Sequence, residues 1–103
     1  MEHHYKTWSS FWEKLGPEDK NFEVRRKRPN QPRVLMGDIL VLEETKDGTK
    51  ELTGRVKRAD VGYVLSLSDV PELGSAQGAE QTVSINEFEV FGLYNIEVVS
   101  QPN

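Results

Sequence analysis

Two long strands joined by one tight turn restrict the fold of this chain more than any other feature. The segment Ile39–Thr45 is apolar on both faces until its end, and the segment Glu51–Leu65 returns after the turn Lys46–Thr49. The glycine in that turn can adopt the positive φ that hairpins use. Bulges or a bend are expected near Gly54 and Ala59-Asp60. Long paired strands of this kind predict a small β-barrel or curled sheet.

Three further strands are predicted from alternation and from β-branched residues. They are His4–Thr7, Phe22–Arg25 and Phe88–Ser100, the last with a kink expected at Gly92. Residues 66–81 are rich in Ser, Gly and acids, which predicts a loop with at most a helical turn. The fold class is therefore α+β, a small curled and mostly antiparallel β-barrel with one or two short helices.

One helix is predicted over Trp8–Leu15. Its apolar residues share a helical face, so both tryptophans are assigned to the core. Ser10 and Glu13 have the spacing of a capping box, and Gly16-Pro17 ends the helix. We expect this helix to cover one opening of the barrel.

Length and composition predict one domain over residues 1–103. The chain has 103 residues and 36% hydrophobic residues, enough for a single core. It contains no cysteine, which excludes disulfides and zinc-thiolate sites. No apolar run approaches the roughly 18 residues of a membrane span, and Met1–His4 does not resemble a signal peptide. We expect a cytoplasmic protein without a membrane partner or cofactor; its oligomeric state is left open.

Charge is distributed unevenly along the chain. The formal net charge is −4, yet residues 1–58 carry all 13 Lys and Arg, and residues 59–103 carry acids only. Residues 20–33 contain six cations and one acid, Glu23. A local positive field of this kind attracts phosphate groups. The alternative is that these side chains are solvated and balance acids elsewhere.

An ordered set of short motifs resembles the ASCH-related domains of the PUA-like superfamily, in a small branch from bacteria and their phages. The motifs are "HYKTW", "MGDILVLEE", "VGYVL" and "GLYNIEVVS", together with Lys20-x-x-Glu23-x-Arg25, a form of the Lys-x-x-Thr/Glu-x-Arg signature. The resemblance covers nearly the whole chain. It implies a small curled barrel in which the signature residues gather in a cleft.

The resemblance implies a ligand site around the signature strand. A carboxylate at Glu23 can accept hydrogen bonds from a base, and cations beside it can hold phosphate or carbonyl oxygens. The predicted ligand-binding residues are Lys20, Glu23, Arg25, Arg26 and Tyr63. The residues predicted to contact a nucleic-acid backbone are Lys27, Arg28 and Arg33. The alternative is that Glu23 only pairs with Arg25 or Lys20 to satisfy a polar patch.

Two functions remain open from the sequence. The first is an RNA-binding or nucleotide-binding module, as PUA-like domains recognise RNA. The second is a small amidohydrolase, because some ASCH-like proteins resemble enzymes that remove an acyl group from the N4 amine of cytidine. In that case Lys20 and Glu23 would be catalytic. Glu23 stands where those enzymes have a Thr nucleophile, so it would act as a base toward water. Binding is the favoured interpretation.

Two other groups of residues receive structural interpretations. Asp38 follows Gly37 and is expected to bind backbone N–H groups of its turn. His3 and His4 are neighbours on a strand and point to opposite faces, so no metal site is predicted.

Overall fold

Five strands and one short α-helix make up the main elements of the described part of the chain. The computed structural model describes residues 1–18, 20–72 and 85–102. The elements are β1 (Glu2–Trp8), α1 (Ser9–Trp12), β2 (Phe22–Arg26), β3 (Ile39–Thr45), β4 (Leu52–Ser66) and β5 (Phe88–Ser100). Short 3₁₀ turns occupy Leu67–Asp69 and Ile85–Glu87. The first lies in the predicted loop 66–81, most of which falls outside the described residues. In the part of the chain that is described, no helix is long and apolar enough to cross a membrane.

The strands form one mixed, curled sheet in the order β1-β3-β4-β5-β2. Three neighbouring pairs are antiparallel, and β1 pairs with β3 in parallel. The sheet is a half-barrel in which β1 and β2 are the two edge strands. This agrees with the predicted small, curled and mostly antiparallel barrel, to which the β1–β3 pair is the parallel exception. A parallel pair is possible because α1 and β2 separate β1 from β3 in the chain.

The β3–β4 hairpin agrees with its prediction. Lys46 N–H donates to the Glu51 carbonyl at 2.9 Å, and Gly48 has φ of +73°. The bulges or bend predicted near Gly54 and Ala59-Asp60 do not interrupt β4, which runs unbroken over Leu52–Ser66. Gly54 has φ of +93°, and the pairing register with β5 shifts between Arg58 and Asp60.

The core lies on the concave side of the sheet. Alternate residues of β1 are buried, so Tyr5 faces inward beside fully buried Leu42 of β3. Phe91 of β5 packs against Tyr5, with ring centroids 6.1 Å apart. Trp12 is 1% exposed and donates its indole N–H to the Leu42 carbonyl at 2.8 Å. The prediction that Trp12 belongs to the core is confirmed.

The helix α1 is shorter than predicted. It ends at Trp12, after which Lys14 and Leu15 N–H groups bond three residues back rather than four. The predicted Ser10 side-chain cap is absent, and the Ser10 N–H donates instead to Asp47 Oδ1 at 2.9 Å. The Lys57 ammonium group ends the helix by donating to the carbonyls of Trp12 and Leu15 at 2.6 and 2.8 Å.

A buried carboxylate on β3 attaches α1 to the sheet. Glu44 is 1% exposed and accepts hydrogen bonds from Ser9 Oγ at 2.7 Å and from Thr53 Oγ1. The Arg55 guanidinium donates to both Glu44 oxygens, at 2.8 and 2.6 Å, and also contacts Glu13. The central carbon of the Arg55 guanidinium lies 4.6 Å from the centroid of the Trp12 ring. The Glu44 carboxylate of β3 therefore bonds side chains of both α1 and β4.

The pKa of Glu44 gives a test of this attachment. The Arg55 hydrogen bonds, followed by those from Thr53 and Ser9, hold it at about 2 against the opposing effect of burial. In the unfolded chain, the pKa of a glutamate side chain is about 4.3. Ionised Glu44 therefore stabilises the fold above that value, and this stability is lost as the pH falls toward 2.

We expect Glu44→Gln to be less stable than wild type at neutral pH. The difference in the free energy of unfolding between wild type and Glu44→Gln should shrink by roughly 1–2 kcal/mol between about pH 6 and pH 2.5. This range allows for solvent screening at the partly exposed Arg55. Urea denaturation followed by circular dichroism at several pH values measures it. Glu97→Gln removes an exposed carboxylate on β5 and is the control. A difference that does not vary with pH would contradict this role of Glu44.

Candidate ligand-binding site

A cavity of about 260 Å³ opens between the edge strands β1 and β2. We call it the seam pocket. Its walls come from β1, α1, β2 and β5, in the order Lys6, Thr7, Trp8, Phe11, Glu23, Val24, Arg25 and Phe88. The seam exists because the half-barrel leaves one edge of each of these two strands without a neighbouring strand in the described sheet.

Glu23 is the buried acceptor of the seam pocket. It pairs in register with Phe91, whose side chain is in the core, so Glu23 also faces the concave side. The residue is 2% exposed. Arg25 Nη2 donates to Glu23 Oε2 at 3.4 Å, and no second donor in the described chain bonds this carboxylate. A buried carboxylate with one long hydrogen bond retains capacity to accept from a ligand.

Arg25 lies beside Glu23 on the same face of β2, as the alternation predicted. Its Nη2 also donates to Thr7 Oγ1 at 2.5 Å, which bridges the seam from β2 to β1. Its Nε is buried and has no hydrogen-bond partner among the residues that the structure describes. An unpaired buried donor costs about 1–3 kcal/mol, which a ligand oxygen could recover.

Lys20, the third signature residue, lies next to Phe11 of the seam pocket but is not among the residues that line it. Its ammonium nitrogen lies 5.6 Å from the Phe11 ring centroid and 5.3 Å from that of Phe22. Burial lowers the pKa of Lys20, and the nearby Glu23 charge opposes this effect. The charges of Lys20 and Glu23 are therefore close enough to interact, and Glu23 and Arg25 are the two signature residues in the pocket wall.

Aromatic rings stand at the mouth of the pocket, which the sequence interpretation missed. Trp8 is 48% exposed, so its assignment to the core was wrong. Its ring lies 6.5 Å from that of Phe11 with an interplanar angle of 26°. Phe88 contributes a third ring. The alternation of β1 could have identified Trp8, since inward-facing Tyr5 and Thr7 imply that residue 8 faces outward.

The sequence profile of a family described as "Domain of unknown function (DUF3850)" matches residues 2–76. The chain belongs to this family. The match spans β1 to β4 and includes the three signature residues, whereas β5 with Phe88 lies beyond it. A search of curated proteins finds no match.

The other predicted cations of the DUF3850 domain lie outside the seam pocket. Arg26 is exposed, with its Nη2 3.7 Å from Glu87 Oε2 and its guanidinium 5.4 Å from the Phe88 ring centroid. Lys27, Arg28 and Arg33 line a second cavity next to Tyr5. The cations of residues 20–33 therefore lie at different places: Arg25 lines the seam pocket, Arg26 is exposed, and the other three predicted cations line the second cavity.

Tyr63 lies away from both cavities. It is 43% exposed and pairs in register with Gly92, where a β-carbon would approach within 1.8 Å of the tyrosine ring. The ring therefore covers Gly92, which accounts for the glycine at this position, where the β4–β5 register shifts between Val61 and Tyr63. No wall of the described cavities includes Tyr63.

Asp38 has a structural role, as predicted. It accepts hydrogen bonds from the Leu35 N–H at 3.0 Å and pairs with His3 Nε2 at 2.8 Å. The contact with His3, followed by that with Leu35, lowers the pKa of Asp38 to about 2. His3 is buried and His4 is exposed, so the two rings do face opposite sides. Among described residues, no group of three or more His, Asp or Glu side chains could hold a metal ion.

The two tryptophans should differ in solvent access. We expect the Trp12→Phe variant, which keeps Trp8, to emit at longer wavelength and to be quenched several-fold more strongly by acrylamide than Trp8→Phe. The reason is that Trp8 is half-exposed and Trp12 is buried. Steady-state fluorescence measures both. Equal quenching of the two variants, with native circular dichroism spectra, would contradict the described pocket mouth.

Proposed function

We propose that this DUF3850 domain binds RNA or a nucleotide and holds one nucleobase in the seam pocket. The observation that carries the proposal is a buried acceptor, Glu23, beside a buried and unpaired donor, Arg25 Nε, under aromatic rings. A nucleobase presents N–H donors and carbonyl or ring-nitrogen acceptors on one flat edge. These groups complement the pocket in both hydrogen bonding and shape.

The size and the rings of the pocket support a base rather than a larger ligand. About 260 Å³ lies below the roughly 300–1,000 Å³ of sites that enclose drug-sized molecules. Trp8 and Phe11 offer faces on which a base can stack, a contact worth about 1–3 kcal/mol in single-strand binders. RNA-binding domains commonly use this mode for unstacked bases.

The surrounding charge supports a phosphate-bearing ligand. Six cations and one acid lie within residues 20–33, although the whole chain is acidic. This segment supplies the electrostatic part of nucleic-acid binding. The resemblance of the signature Lys20-x-x-Glu23-x-Arg25 to ASCH-related domains supports the same class of function.

Replacing Glu23 by Gln separates recognition from simple charge balance. If Glu23 accepts hydrogen bonds from a base, Glu23→Gln should weaken binding of the preferred base by roughly 1 to 3 kcal/mol and change the others less. If Glu23 is only a counter-charge, its removal from a cationic site should strengthen binding of every nucleotide.

Isothermal titration of the four nucleoside monophosphates into wild type and Glu23→Gln distinguishes these outcomes. Glu97→Gln is the matched control, because it makes the same charge change on an exposed residue of β5. Uniformly tighter binding by Glu23→Gln, with no change in base preference, would contradict base recognition.

A small amidohydrolase acting on N4-acylated cytidine is the second candidate. The proximity of Lys20 to buried Glu23 favours it, since a cation could polarise an acyl carbonyl while a carboxylate activates water. Incubation with N4-acetylcytidine, followed by chromatography, tests it. Turnover by wild type that is lost in both Lys20→Ala and Glu23→Gln would place hydrolysis above binding. Absence of turnover in wild type would remove this candidate.

A further inference from the structure

A second cavity, of about 480 Å³, lies next to the seam pocket. Tyr5 of β1 forms one wall, and the connection from β2 to β3 forms most of the rest. The polar side chains on these walls are Lys27, Arg28, Gln31, Arg33 and Glu89. The cavity is therefore predominantly cationic, with three positive groups and one carboxylate.

Among the described residues, none of these three cations has a carboxylate partner within 4.0 Å. Lys27 and Arg33 are exposed, and no acid of the described chain lies within 4.0 Å of either charged group. Arg28 is held in place, because its Nη1 donates to the His4 carbonyl at 3.1 Å and its guanidinium lies 3.8 Å from the Tyr5 ring centroid. The fixed Arg28 and the exposed Lys27 and Arg33 can therefore all donate hydrogen bonds to an oxyanion bound in the cavity.

The two cavities follow the same pair of strands. Thr7 lines the seam pocket and Tyr5 the second cavity, while Arg25 and Lys27 occupy the corresponding places on the β2 side. Residues two apart on a strand are separated by roughly 7 Å. This distance is comparable to the spacing of neighbouring nucleotides in an extended single strand.

Tyr5 connects the two cavities. The Arg25 guanidinium of the seam pocket lies 5.1 Å from its ring centroid, and the Arg28 guanidinium of the second cavity lies 3.8 Å from it. Burial raises the pKa of the Tyr5 hydroxyl, so the ring remains neutral at physiological pH. A neutral ring therefore lies beside both guanidinium groups, and Glu89 supplies the one carboxylate in the wall of the second cavity.

We propose that the second cavity is a phosphate site for the strand whose base occupies the seam pocket. The inference rests on the proposed function and extends it, because the ligand is then a single strand of two or more nucleotides rather than a free nucleoside. Phosphate binding in the second cavity also has its own chemical basis and can be measured without a base.

The test compares a nucleoside with a dinucleoside monophosphate that contains the same base. Wild type should bind the dinucleotide about tenfold more tightly than the nucleoside, since one charge-assisted contact is added. Lys27→Ala/Arg33→Ala should abolish this gain and leave nucleoside affinity unchanged. Lys50→Ala/Arg58→Ala removes one Lys and one Arg that are exposed elsewhere, and it should keep the gain.

Equal losses in the two double variants would overturn the proposal, because they would show a diffuse charge effect. A third arm uses methyl phosphate alone and the backbone amide of Gln31 as the reporter in NMR titrations. Shifts at Gln31 that disappear in Lys27→Ala/Arg33→Ala support the phosphate site even if no nucleoside binds the seam pocket, in which case only the proposed function fails. Absence of these shifts in wild type would overturn the phosphate site.

Discussion

The arrangement of this domain depends on the buried charge of Glu44. A carboxylate taken out of water is costly unless donors surround it. Here the donors come from α1 and β4, and Arg55 contributes two hydrogen bonds. The chain must therefore turn immediately after β1 and fold the short helix back against β3. This turn carries Trp8 and Phe11 to the mouth of the seam pocket.

The open edge of the half-barrel is the second determinant of the site. Edge strands expose backbone groups and invite association with other strands. In this domain the interior of the opening is polar, with Arg25 bridging to Thr7 and Glu23 buried beside them. Buried polar groups with incomplete pairing reduce stability. Their presence in a cavity framed by aromatic rings is more consistent with ligand binding than with packing alone.

The sequence predicted the local elements better than the long-range arrangement. Apolar runs, β-branched residues and alternation located the five described strands to within a few residues, and alternation placed Glu23 and Arg25 on one face. The length of α1 was overestimated, because its end depends on Lys57, which lies more than forty residues away in the chain. The parallel pairing of β1 with β3 depends on strand order, which local patterns do not specify.

Location of a bound base by NMR is the most direct test of the central claim. In a complex with the preferred nucleoside monophosphate, intermolecular NOEs should connect base protons with the ring protons of Trp8, Phe11 and Phe88. These three side chains frame the pocket that contains Glu23 and Arg25. NOEs from the base to Tyr63 on the outer surface, with none to Trp8 or Phe11, would contradict the account.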